Sequence, residues 1–159
     1  MFGYDASTLG LTATERVHMG RRVAEALGEE AELLNAQRIF LLVSTTLRNS
    51  TDEIAEIESA LGARLALTYD GIAAHAPRTD VLKAMAAARA AEADLIITVG
   101  GGSVTDAGKV IALGLKHNIL CHEDFEGFYV FVDDNGDTVA PVFEGPDIRV
   151  ICCPTTLSG

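Results

Sequence analysis

Leu95-Ile96-Ile97-Thr98-Val99-Gly100-Gly101-Gly102-Ser103-Val104-Thr105-Asp106-Ala107-Gly108-Lys109-Val110-Ile111-Ala112-Leu113 is the stretch on which the fold turns. A short apolar run, three glycines and a second apolar run read as strand, glycine turn and helix. Glycines let a backbone approach a ligand closely and leave its amide groups uncovered. A helix N-terminus just beyond adds partial positive charge, an arrangement suited to phosphate. Gly100, Gly101, Gly102 and Ser103 are therefore candidate contacts for a phosphorylated cofactor.

Two known glycine patterns do not fit. A Walker A loop needs glycine, four residues and then Gly-Lys-Ser/Thr. Gly108-Lys109 supplies the end, but Ser103 replaces the first glycine and Val110 the magnesium-binding hydroxyl. The G-x-G-x-x-G pattern starts at Gly100 and Gly102 but meets Thr105 at its third glycine, and it also needs an acidic ribose partner about twenty residues on. The residues alone leave two readings, a third kind of phosphate cradle or a tight turn without a ligand.

Outward from this turn, strands alternate with amphipathic helices. Thr12-x-x-Glu15 reads as a capping box opening a helix through Val17, Ala24 and Leu27 to Gly28. Glu29 to Gln37 is a polar helix end or connector, and Arg38–Val43 is a continuous apolar run of buried-strand length. Ser50-x-x-Glu53 is a second capping box, with Ile54, Ile57 and Leu61 on one face and Gly62 as the stop. Arg64–Tyr69 predicts a strand, and Thr79 or Asp80 caps an alanine-rich helix to about Ala93. Asp94–Val99 and a helix to about Leu115 enclose the glycine turn. Beyond them, Phe128–Val132 and Thr138–Phe143 predict a β-hairpin with an Asn-Gly turn, and Arg149–Cys153 a last strand. The expected fold class is α/β, a Rossmann-like parallel sheet with helices on both faces plus the hairpin. Such sheets bind ligands beyond the carboxyl ends of their strands, where the glycine turn falls.

Composition excludes several function classes. With 159 residues, the chain suits one domain with a sizeable core. Its net charge of −11 argues against nucleic acid as a partner. No apolar run approaches the roughly 20 residues of a membrane helix. The N-terminus lacks the basic-then-apolar pattern of a signal peptide, and the expected compartment is the cytoplasm. Cys121, Cys152 and Cys153 are too few for a disulfide scaffold and are read as core residues.

The wider pattern Gly100-Gly101-Gly102-Ser103-x-x-Asp106-x-x-Lys109 resembles the nucleotide-binding signature of the iron-containing (group III) alcohol dehydrogenases, which include the maleylacetate reductases. Tyr69-Asp70-Gly71 with Pro77 resembles the segment before that signature, and Pro154-Thr155-Thr156-Leu157-Ser158-Gly159 a second cofactor-contacting motif. Phe2-Gly3 is a weaker echo of an early Phe-Gly turn. The resemblance implies a dehydroquinate synthase-like N-terminal domain over residues 1–159 that binds NAD or NADP. Gly101, Gly102 and Ser103 would contact the pyrophosphate, and Asp106 would stand near the nicotinamide half. Thr155, Thr156 and Leu157 would contact the cofactor from the other side. Many members carry an Asp at the end of the first strand for the adenine ribose; Ser44-Thr45-Thr46 stands here instead. A hydroxyl such as that of Thr45 does not repel a 2′-phosphate, so NADP joins NAD as an expected cofactor.

By the same resemblance, Fe2+ or Zn2+ would be held by one Asp and three His on a helical domain following the Pro-Thr-Thr segment. No metal ligand carries over to this chain, which ends at Gly159 in a turn-like pair, as a truncated domain would. It is expected to bind cofactor but not to transfer hydride alone. The intact enzyme would act on a small alcohol or carbonyl compound and pair as a homodimer. Alternatives are a glycerol dehydrogenase or dehydroquinate synthase-like fragment, and a non-catalytic nucleotide-binding or interaction module. Among other residues, Asp106 and Lys109 share a helix face and suit an ion pair. The acidic turn Asp133–Asp137 lacks the EF-hand ligand series. His18, His75, His117 and His122 lack helical metal-ligand spacing; His75 is an exposed loop residue close to the cofactor cleft.

Overall fold

The computed structural model describes residues 14–156. A first helix, α1 (Val23–Leu33), leads into β1 (Ile39–Val43), a short helix α2 (Thr45–Ser50) and α3 (Glu53–Leu61). Then follow β2 (Leu65–Tyr69), α4 (Arg78–Ala90), β3 (Leu95–Gly100) and α5 (Gly102–Lys116). The chain closes with β4 (Phe131–Val132), β5 (Thr138–Val139) and β6 (Arg149–Pro154). Strands pair in the order β2-β1-β3-β6, all parallel, while β4 and β5 form a separate antiparallel pair. The α/β class, parallel sheet and separate β pair agree with the sequence reading.

Side-chain alternation in the central strands creates two cores. Phe40, Leu42 and Ile96 point to one face, where Val81, Ala84, Met85 and Ala88 of α4 and Val104, Ala107 and Ile111 of α5 cover them. Ile39, Leu41, Val43, Leu95, Ile97 and Val99 point to the other, against Ala24, Leu27 and Ala31 of α1 and Ile54, Ile57 and Leu61 of α3. Every residue of β1 and β3 is buried, as the continuous apolar runs require of strands covered on both sides. Burying one such Leu or Ile side chain contributes about 1.5–3 kcal/mol.

The beginning of the fold differs from expectation. Residues 14–22 lie outside any helix, and α1 starts only after Arg22, whose backbone is extended. Ion pairs replace helical packing here: Arg16 donates to both Glu30 carboxylate oxygens at 2.8 and 2.6 Å, and His18 Nε2 lies 2.9 Å from Glu30 Oε1. Thr12 lies outside the described residues, as do Phe2 and Gly3. Gly28 does not end α1 but sits within it, where a Cβ would come 3.5 Å from Ala60 O of α3. It is a packing residue. The second capping box is also absent, because Asp52 rather than Ser50 precedes α3 and its side chain makes no capping bond.

The hairpin and cysteines require correction too. The β4/β5 ladder holds only the pairs Phe131–Val139 and Val132–Thr138. Its connection is organised by Asp133, whose Oδ1 accepts from the Asn135 and Asp137 amides at 2.9 Å each. Gly136 has φ +88, while Asn135 is not left-handed, so this is not a two-residue Asn-Gly turn. Cys121 and Cys152 are exposed and Cys153 is half-buried. Among the described residues the outermost strand β6 has a neighbour on one side only. Of its adjacent thiols, Cys153 packs against the α1/α3 core and Cys152 stays in solvent.

Candidate functional site

The ends of three parallel strands converge on the glycine turn. Ser44, just past β1, donates its amide to Val99 O at 2.9 Å, and Thr155, just past β6, donates to Gly100 O at 3.0 Å. Gly100 pairs in register with Pro154, so β3 and β6 stop at the same level. All of this lies at the carboxyl edge of the sheet, the edge at which open α/β sheets bind ligands.

None of the turn's three glycines takes a left-handed conformation. They are needed for room. A Cβ on Gly100 would meet Val104 at 2.8 Å and Ser44 at 3.3 Å, and one on Gly101 would meet Thr156 Oγ1 at 3.3 Å. Gly102 differs, since an added Cβ would find nothing within 4 Å among the described residues. Its open side is where a ligand can reach the backbone. Gly101 is the N-cap of the 15-residue helix α5, and its carbonyl accepts the amides of Val104 and Thr105, both at 3.1 Å. The Gly102 and Ser103 amides open that helix with no preceding carbonyl in helical register, and the helix dipole adds positive potential there. The cradle therefore fits an anionic, phosphate-bearing group.

Ser103 serves a second contact: its Oγ accepts the His75 amide at 2.9 Å. This bond ties the segment between β2 and α4 to the turn. His75 and Ala76 within it have φ of +64 and +46, a conformation that costs a non-glycine residue roughly 1–2 kcal/mol. The expected nearness of His75 to the turn holds, but the main chain makes the contact. Sequence reading missed it because only the pair His75-Ala76 before Pro77 hinted at an unusual backbone.

The remaining expected residues fall around the glycine turn unevenly. Thr156 is against Gly101 and Thr155 against Gly100. Leu157 lies outside the described residues. Thr45 opens α2 and donates its hydroxyl to Asp70 O at 2.6 Å, tying the ends of β1 and β2 together. Asp106 is exposed further along α5, with Oδ1 3.2 Å from Lys109 Nζ, the ion pair its spacing predicts. Burial, with Asp80 and Asp70 adding to it, holds the Tyr69 phenol above its ordinary pKa. Among the described residues no three His, Cys, Asp or Glu side chains come together as metal ligands. A groove lined by Ala88, Arg89, Glu92, Leu115, Lys116 and Asp147 opens at the opposite, amino edge of the sheet.

The family model described as iron-containing alcohol dehydrogenase matches residues 14–159. The protein named dehydrogenase FUM7 of Gibberella moniliformis is 35% identical over 140 residues, covering 84% of this chain and 32% of that protein. Maleylacetate reductase 1 of Rhodococcus opacus is 36% identical over 97 residues, 61% of this chain and 26% of the relative. Among solved structures, the maleylacetate reductase from Rhizobium sp. superposes with a TM-score of 0.61 at 27% identity, covering 91% of this chain and 42% of that one. The chain thus spans about a third or less of the length of these curated relatives.

Proposed function

The chain belongs to the iron-containing alcohol dehydrogenase family, and we propose that it forms the part of such an enzyme that binds NAD or NADP. The observation that carries this reading is the open face of Gly102 at the start of α5, between the ends of β1 and β6. In this reading the Gly101, Gly102 and Ser103 backbone receives the pyrophosphate, with the α5 N-terminus complementing its charge. Gly100 keeps the turn close to Ser44 and leaves no side chain in the way. Thr155 and Thr156 border the cofactor from the β6 side, and Thr45 borders its adenine ribose. Asp106 stands toward the nicotinamide half, where leaving Lys109 would free its carboxylate. Leu157 is assigned with the two threonines by its place in the same motif.

When bound, NAD or NADP supplies hydride exchange with a small alcohol or carbonyl substrate. This chain's residues position that cofactor, and the Ser103–His75 bond holds the neighbouring loop in place. The metal implied by the family finds no donor set among the described residues. Residues 1–159 act here as the cofactor-binding domain, with catalysis requiring a helical metal-binding domain. A cytoplasmic location and homodimeric pairing complete the proposal; among the described residues no helix is long and apolar enough to cross a membrane.

Titration of the chain with NADH and NADPH, followed by nicotinamide fluorescence, tests the reading. Saturable binding of at least one is expected. Absence of saturation with both would overturn it.

A further inference from the structure

We propose that Arg48 reads the 2′-phosphate of NADP and that Asp70 holds its guanidinium when that phosphate is absent, an inference that rests on the dinucleotide reading above. A short chain of contacts connects Arg48 to the glycine turn. Ser44 packs where a Gly100 side chain would go, and its carbonyl accepts the Arg48 amide at 3.0 Å. Arg48 is therefore one helical turn, about 6 Å of rise, from the residue touching the turn. β3 is flanked by both β1 and β6. On the dinucleotide reading the threonines after β6 border one side of the pyrophosphate, which leaves the β1 side, with Thr45 and Arg48, for the adenine ribose.

The chemistry of this edge favours a phosphate. From Ser44 to Thr51 there is no carboxylate, only hydroxyls, an amide, Leu47 and Arg48. In a chain of net charge −11, a cation so placed is an exception to the prevailing sign. Arg48 Nη1 is 3.4 Å from Asp70 Oδ2, and both side chains are about 40% exposed, at 40% and 37%. A pair this long and this exposed contributes little to stability, so the guanidinium can exchange its partner easily. A phosphate offers a guanidinium two parallel charge-assisted bonds and more negative charge than one carboxylate. Thr45 keeps the geometry by anchoring the main chain of Asp70 at 2.6 Å. With NAD the ion pair persists; with NADP the guanidinium turns to the phosphate. Asp70 competes for Arg48 and so limits the preference, which makes the site dual rather than strictly selective.

Binding curves for NADH and NADPH on the full chain and on Arg48→Gln, Arg48→Lys and Asp70→Asn decide the matter. Arg48→Gln is expected to weaken NADPH about tenfold while leaving NADH within about twofold, with Arg48→Lys between. Asp70→Asn, which frees the guanidinium, is expected to strengthen NADPH about threefold. Equal losses for both cofactors in Arg48→Gln, or none for NADPH, would overturn the assignment. Saturation of the unaltered chain by NADH alone would overturn it while leaving the dinucleotide reading intact. Saturation by neither would overturn both.

Discussion

Gly108 of α5 lies directly over Thr98 of β3, so close that a Cβ on Gly108 would overlap the Thr98 Cγ2 methyl. In dinucleotide-binding turns a third glycine permits this close helix–strand approach. Thr105 occupies that spacing here, and Gly108 takes over the packing one turn later. Gly108→Ala should destabilise the fold by about 1–3 kcal/mol through overpacking, despite alanine's better helix propensity. Adding Thr98→Ser removes the opposing methyl and should recover part of the loss. Urea denaturation of both single variants and the double variant measures that coupling.

Thr98 is fully buried and its hydroxyl has no hydrogen-bond partner among the described residues. Thr98→Val keeps the shape and removes an unsatisfied polar atom. The expected result is a gain of about 1 kcal/mol in chemical denaturation.

Because nothing among the described residues fills the space beside Gly102, Gly102→Val should separate binding from folding. Thermal melting should shift by only a few degrees, while NADH and NADPH affinity should fall by at least about tenfold. Gly100→Val should behave oppositely, losing stability first, since its Cβ would strike Val104 and Ser44.

Glu30 supplies a pH signature. The Arg16 guanidinium, bonded to both carboxylate oxygens and aided by His18, holds the carboxyl down at about 2 against burial. A depressed folded-state value means that this contribution is present above the ordinary carboxylate range. It is lost as pH falls from about 4.5 to about 2. Glu30→Gln should lower stability near neutrality by about 1–3 kcal/mol and flatten that acid limb, as read from melting temperature against pH.

Burial, with Cys152 adding to it, pushes the Cys153 thiol up to about 11, so almost none is thiolate at neutral pH. Alkylation at pH 8 should modify exposed Cys152 well before Cys153, as peptide mass spectrometry would record. Faster labelling of Cys153 would contradict the placement of β6.

How much was readable in advance follows the range of the interactions involved. Ile39–Val43 and Leu95–Gly100 are strands because unbroken apolar runs of that length bury both faces. Gly102–Lys116 is a helix opening on glycines, as its local pattern predicts. Glu15 and Val17 carry a local helical signal, but residues 14–22 answer to ion pairs with Glu29 and Glu30. The hairpin was overextended for a similar reason: apolar alternation continued past the point where strands had partners.

The sequence by itself determined the α/β class, the position of the glycine turn and the family, since these rest on apolar runs, glycine spacing and ordered motifs. Only the tertiary structure decided what surrounds each glycine: open space beside Gly102 among the described residues, Val104 and Ser44 at Gly100, and Thr98 at Gly108. It alone brought the His75 amide to Ser103 and Arg48 to Asp70. Those pairs are separated by 28 and 22 positions in the chain, so only the parallel sheet, which lines up the carboxyl ends of β1, β2, β3 and β6, sets their distance.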